Sequence, residues 1–204
     1  MTDHSTIRSR AFLLRAADID TDQIFPSRFQ SRVDGANDLA SFFFHDQRFD
    51  AKEQLIESFP LNNPALAGAQ ILVAPTNYAC GSARAGAIFA HVHFGIRVLI
   101  SESFGPVFPS VCYKFGLLPI ELAKDDIAGL IRVLDDAPET VLEVDLEAQE
   151  IRLPTGATLA FRLDDYVRLI ALSGKDEIGL TQSYQAEIEQ FEQGRKQKFP
   201  WLFG

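Results

Sequence analysis

Ser82 and Arg84 stand two residues apart in NYACGSARAG, residues 77–86, between an apolar run and a stretch of helical character. Backbone N–H groups at a helix start have no intrahelical partner, and the helix dipole adds positive potential there. A loop that delivers a hydroxyl and a guanidinium to that position is suited to a carboxylate or phosphate, held by Arg84, the exposed amides and the Ser82 hydroxyl. Anion binding is therefore the first chemistry this chain offers. Each residue also has a plainer reading. A serine beside a glycine at a helix start is an N-cap, and Arg84 is a bridge to an acidic neighbour. The three aspartates of DIDTDQIFP, residues 18–26, read as a turn in which Asp22 hydrogen-bonds its own backbone.

The elements that must position these groups follow from periodicity and punctuation. Residues 9–16 read as a strand, and residues 71–76 and 97–101 as short buried strands on either side of a helix at 83–93 that Gly95 stops. This strand–helix–strand unit predicts a parallel pair with a right-handed crossover. Its first loop lies at the C-terminal end of the first strand, where such sheets bind ligands. Residues 104–115 have helical spacing ended by Gly116, residues 117–122 form another strand, and residues 125–134 a helix. From 141 to 161 the pattern alternates around Pro-Thr-Gly, which predicts two antiparallel strands. Residues 164–173 are amphipathic and closed by Gly174, and residues 181–198 predict one polar surface helix. The fold class is thus α/β with mixed parallel and antiparallel strands and a C-terminal helical tail. Phe42, Phe43 and Phe44 are assigned to the core or a subunit interface, and the acidic residues 135–145 to a solvated face. His91 and His93 on one helix diverge by about 200°, which argues against a shared metal.

Composition narrows the class. A chain of 204 residues, 47% of them hydrophobic, accommodates one domain with a substantial core or one domain with a helical tail. Its net charge of −9 opposes a nucleic-acid partner, because duplex binding needs clustered cations. The apolar runs are far shorter than a membrane span, and the opening MTDHSTIRSR lacks a signal peptide's apolar core, so a soluble cytoplasmic protein is expected. Cys80 and Cys112, the two cysteines, are too few for a four-thiolate zinc site or an iron–sulfur cluster held by this chain alone. They are read as free thiols, and no metal site is assigned.

DTDQI at residues 20–24, NYACGSAR at 77–84 ahead of a helix, and KDEIGLT at 175–181 with a terminal PWLF occur in this order and span nearly the whole chain. In these motifs the sequence resembles the small subunit of 3-isopropylmalate dehydratase and, more distantly, the swivelling domain of aconitase. The resemblance implies a swivelling β/β/α domain over residues 1–174 and a helical extension over 175–204, packed on that domain or on a partner. It further implies a large subunit that bears a 4Fe-4S cluster, with none bound by this chain, and a small dicarboxylate substrate. By resemblance Ser82 is the base that takes the proton alpha to a carboxylate, and Arg84 pairs a substrate carboxylate. Asp22 orients groups or water at the site. Gly81, Ala83 and Arg32 complete the substrate-binding set.

Departures from the family pattern qualify the substrate. The usual Ser-Ser-Arg-Glu-His-Ala after Cys-Gly has Ala83, Ala85 and Gly86 here in place of the second Ser, the Glu and the His. The usual Thr-Arg-Thr-Gly-like segment is replaced by SRVDGANDL at 31–39, with Gly35 near the expected Arg and Arg32 close by. The leading expectation is a hydro-lyase subunit that interconverts 2- and 3-isopropylmalate through 2-isopropylmaleate in leucine biosynthesis. Two others stay open: a paralogous subunit for a methyl- or dimethylmalate, and a non-catalytic anion-binding module of the same fold.

Overall fold

In a computed structural model of the chain, residues 5–32, 39–82, 84–174 and 177–202 are described. They contain β1 (Thr6–Leu13), α1 (Thr21–Ile24), α2 (His45–Arg48), β2 (Ile71–Val73), α3 (Ala85–Phe94), β3 (Val98–Ser101), α4 (Phe108–Cys112) and β4 (Leu118–Glu121). Then come α5 (Lys124–Asp136), β5 (Val141–Asp145), β6 (Glu150–Arg152), β7 (Thr158–Ala160), α6 (Asp165–Ser173), α7 (Glu177–Gln182) and α8 (Gln185–Lys198).

The strands form one sheet in the order β4-β3-β2-β1-β5-β6-β7. β1 to β4 are mutually parallel, and β5, β6 and β7 continue antiparallel from the other edge of β1. The two halves differ in cover, and the sequence shows why. In β2 and β3 every residue is buried, as a parallel strand with helices on both faces must be. Leu72 and Leu99 join Phe12 on one face, under α3, α4 and a group of phenylalanines that includes Phe25, Phe43 and Phe44. Ile71, Val73, Val98 and Ile100 point to the other face, where Ile127, Leu130 and Leu134 of α5 cover them. In β5, by contrast, only Leu142 and Val144 are fully buried, and the alternation leaves Glu143 and Asp145 on the opposite, wetter face, where both bind Arg152.

Four sequence expectations need correction. Residues 18–26 are more than a turn: Asp20 caps α1, accepting from the Asp22 N–H at 2.7 Å while its own N–H donates to Gln23 at 2.8 Å. The helix expected over 104–115 is short, because α4 passes into a 3₁₀ turn at Tyr113–Phe115. Residues 141–161 form three strands, because Asp145 accepts from the Glu147 and Ala148 N–H groups and reverses the chain before β6. The polar helix of 181–198 breaks at Ser183 and Tyr184, whose N–H groups close back onto Leu180 and Thr181. Phe43 and Phe44 belong to the core. No helix among the described residues is long and apolar enough to cross a membrane.

Truncating Leu99, which has no exposed surface, leaves a cavity against Phe12 and Leu72. Leu99→Ala is expected to lower unfolding free energy by about 3 kcal/mol, measured by urea denaturation. Leu169→Ala, at a 44% exposed position, should change it by no more than about 0.5 kcal/mol.

Candidate functional site

The chain leaves β2 into the loop that carries Ser82, and this loop is neither helix nor strand. Asn77, Ala79 and Gly81 take φ values of 52°, 56° and 85°, so every second residue is left-handed. Such backbone is costly for a non-glycine residue and persists only where its surroundings hold it. Two neighbouring segments do so. From the β3 end, the Ser103 hydroxyl accepts from the Asn77 N–H at 2.9 Å and lies 2.9 Å from the Thr76 hydroxyl. Ser103 O accepts from the Tyr78 N–H, and Gly105 N–H donates to Tyr78 O. From the β1 end, Cys80 N–H donates to Ile19 O and Thr21 N–H to Cys80 O, both at 3.0 Å. Asn77 Nδ2 donates to Asp18 at 2.7 Å, and the Thr21 hydroxyl donates to Ser82 O at 2.7 Å.

Close approach fixes the glycines. A Cβ on Gly105 would stand 2.3 Å from Ala79 O, and one on Gly81 2.1 Å from an Asp20 carboxylate oxygen. Gly86, in the first turn of α3, lies against Phe25, whose ring would be 2.8 Å from a Cβ at that position. Phe25 thus fills the space that a side chain at 86 would need.

The predicted site residues fall as follows. Ser82 is exposed beyond this scaffold. Arg84 is the extended residue immediately before α3, and its guanidinium forms an ion pair with Asp22. Asp22 and Arg84 are thus brought together across the loop, both still partly open to solvent, while Asp20 serves as the α1 cap. Gly81 supplies the turn. Ala83 and the side chain of Arg32 lie outside the described residues, as do residues 33–38 with Gly35.

One pair that matters is not singled out by the sequence. His91 and Tyr78 are both buried, with the Tyr78 hydroxyl 2.8 Å from His91 Nε2 and His91 Nδ1 2.7 Å from Ala87 O. The carbonyl accepts only, so Nδ1 carries the proton and Nε2 accepts from the tyrosine. Burial holds His91 neutral, its pKa lowered to about 4, and raises that of Tyr78. The loop is thereby bolted to the helix it precedes. His93 faces elsewhere and accepts from the Leu39 N–H at 3.1 Å. The signal available in sequence is a tyrosine inside the loop and a histidine on the buried face of the following helix.

Burial, with Asp20 and Asp18 nearby, raises the Cys80 thiol pKa, which disfavours a reactive thiolate. Cys112 is buried in the aromatic core and its thiol is pushed far up by that burial. Among the described residues no three His, Cys, Asp or Glu side chains are grouped to hold a metal. A separate cavity of about 200 Å³ is lined by residues including Leu13, Arg15, Glu57 and Asn63, but its guanidinium is paired with Asp135.

A capped early turn, a loop with left-handed residues and the helix behind it, on one mixed sheet, define the class: residues 6–125 match the aconitase C-terminal domain. Beyond that stretch, residues 130–165 match the LeuD N-terminal family, and residues 177–204 match the C-terminal domain of the 3-isopropylmalate dehydratase small subunit. The chain belongs to the 3-isopropylmalate dehydratase small subunit family. It is 37% identical to the small subunit of Azorhizobium caulinodans over 99% of this chain and 100% of that one. It is 39% identical to that of Caulobacter vibrioides over 99% of both. A crystal structure of 3-isopropylmalate dehydratase from Methanocaldococcus jannaschii, 23% identical, shares the fold with a TM-score of 0.63, covering 91% of this chain and 98% of the other.

His91 gives a pH prediction. Its folded pKa lies below the unfolded value near 6.5, so between about pH 6.5 and 4 the unfolded chain takes up a proton that the folded chain refuses. Its contribution is full above the unfolded value and is lost as pH falls, by up to about 3 kcal/mol. Urea midpoints measured from pH 7 to 4.5 should fall more steeply for the wild type than for His91→Asn.

Proposed function

We propose that this chain, with a large subunit, isomerises 2-isopropylmalate and 3-isopropylmalate by dehydration and rehydration through 2-isopropylmaleate, in cytoplasmic leucine biosynthesis. The observation that carries this is the placement of exposed Ser82 two residues before the Asp22-bound Arg84, at the open start of α3. Family membership supports the same reading. The partner is expected to bring a 4Fe-4S cluster. This chain does not fit one: it has two cysteines, one of them sealed in the aromatic core.

This chain's share is carboxylate binding and proton transfer. Arg84 presents a planar fork to a substrate carboxylate. Asp22 engages one edge of that fork and holds its plane, leaving the other nitrogens for the ligand, so Asp22 acts through Arg84. Ser82 removes the proton from the carbon alpha to the carboxylate. A serine alkoxide is costly at neutral pH, so backbone amides of the loop at Gly81 and the guanidinium of Arg84 are needed to stabilise it. The backbone ties of the loop to residues 19–21 and 103–105 hold the chain that leads into Gly81, and Asp22 holds the guanidinium. Gly86 against Phe25, with Ala85 beside it, leaves the loop poorer in polar side chains. That favours, as a second reading, a malate bearing another side group.

The test is to purify the chain with its large subunit, reconstitute the cluster anaerobically and follow the absorbance of the unsaturated intermediate with a panel of malates. Isopropylmalate should turn over fastest; a preference for methyl- or dimethylmalate would select the second reading. Ser82→Ala should lower kcat about 100-fold or more, and Arg84→Gln should chiefly raise KM. Absence of turnover with every malate would leave only an anion-binding module.

A further inference from the structure

We propose that the C-terminal helices dock on the large subunit and tether this chain to it, an inference that rests on the two-subunit reading above. Every residue of α8 is exposed. A 14-residue helix is marginal in water without a packed face, and this one lays no face on its own domain. The helix is polar overall, but Tyr184 at its N-cap, Ile188 and Phe191 stand together at helical spacing, with Arg195 on the same side and Gln190, Gln193 and Gln197 on the far side. Ile178, Phe191 and Trp201 are 68%, 65% and 72% exposed. Together with Tyr184, Ile188 and Leu202 they leave on the order of 800 Å² of mostly apolar surface along the tail, about what one side of a stable interface buries.

Two observations select the large subunit over a second copy as occupant. The first is continuity with the site. Gly105 abuts Ala79 and Cys80, so exposed Val107 lies two residues beyond the loop's contact, and the 3₁₀ turn at Tyr113–Phe115 touches both α3 and α6. Elements that bear exposed apolar side chains therefore run in contact from beside the Ser82 loop, through Phe115 and α6, to α7 at the start of the tail. A chain that completes the site from outside must lie along that margin. The second is the match of residues 177–204 to a domain of the small subunit, while the match to aconitase's own C-terminal domain stops at 125. The tail thus accompanies the arrangement in which the rest of the enzyme is a separate polypeptide.

The test measures, by sedimentation velocity, the affinity of the full chain for its reconstituted large subunit. Ile188→Asp combined with Phe191→Asp should weaken the heteromer at least 10-fold, while Gln193→Asp on the opposite face should stay within about 2-fold. Both side chains are solvent-exposed, so the double variant's urea midpoint should equal that of the wild type, and turnover should recover when the large subunit is in high excess. Wild-type affinity in the double variant would overturn the inference while leaving the dehydratase reading intact. So would a wild-type homodimer that this substitution dissociates. Wild-type chain that neither binds the large subunit nor supports turnover would overturn both.

Discussion

The structure depends on where the chain's first crossing of the sheet meets its second. Cys80 donates to Ile19 and accepts from Thr21, and these two backbone bonds join segments distant in sequence at the carboxyl ends of β1 and β2. A loop with left-handed residues at 77, 79 and 81 cannot satisfy its own backbone, and polar backbone left unpaired in a packed protein is expensive. The bonds must come from outside it. That requirement places α1 beside α3, and with them Asp22 beside Arg84.

Packing beneath the loop serves the same end. The helix behind Arg84 begins with Ala85, Gly86 and Ala87, and small residues let it sit close to Phe25 and the sheet. Further along its buried face stands His91, whose two nitrogens are both engaged, one on its own helix and one on Tyr78 of the loop. A buried polar pair of this kind stabilises only when fully satisfied, and satisfaction here fixes a single distance between loop and helix. The rigid part of the site is therefore its backbone, while Ser82 and Arg84 project from it.

Much of this is legible in the sequence. Runs of β-branched and leucine residues bounded by Gly95, Gly116 and Gly174 mark the parallel strands and helix ends, because burial on both faces leaves an unmistakable apolar signature. The Asp22–Arg84 contact is not legible as such, although bridging to an acidic neighbour is one reading of Arg84, because nothing local in the sequence encodes a pairing between two turns. The α1 capping box passes for a plain turn, since Asp-Thr-Asp-Gln satisfies both patterns and only the Asp20–Gln23 reciprocity separates them. The third antiparallel strand escapes notice because Asp145 makes its turn with a side chain, without a glycine or proline to announce it.

Exposure completes the division of labour. A loop held this firmly does not need to move for the anion binding proposed for it, so its polar tip can stand in solvent at little entropic cost. On the proposed reading, an open tip leaves Ser82 in a high-dielectric setting where its interaction with a substrate is weak. Strong electrostatic catalysis requires that water be excluded once the substrate is seated. Ser82 stands exposed at the tip of the loop, whereas Tyr78 and Ala79 beneath it are buried. On the proposed two-subunit reading the large subunit supplies that exclusion, and the exposed side chains of Val107, Ile178, Phe191 and Trp201 are the apolar groups available to it.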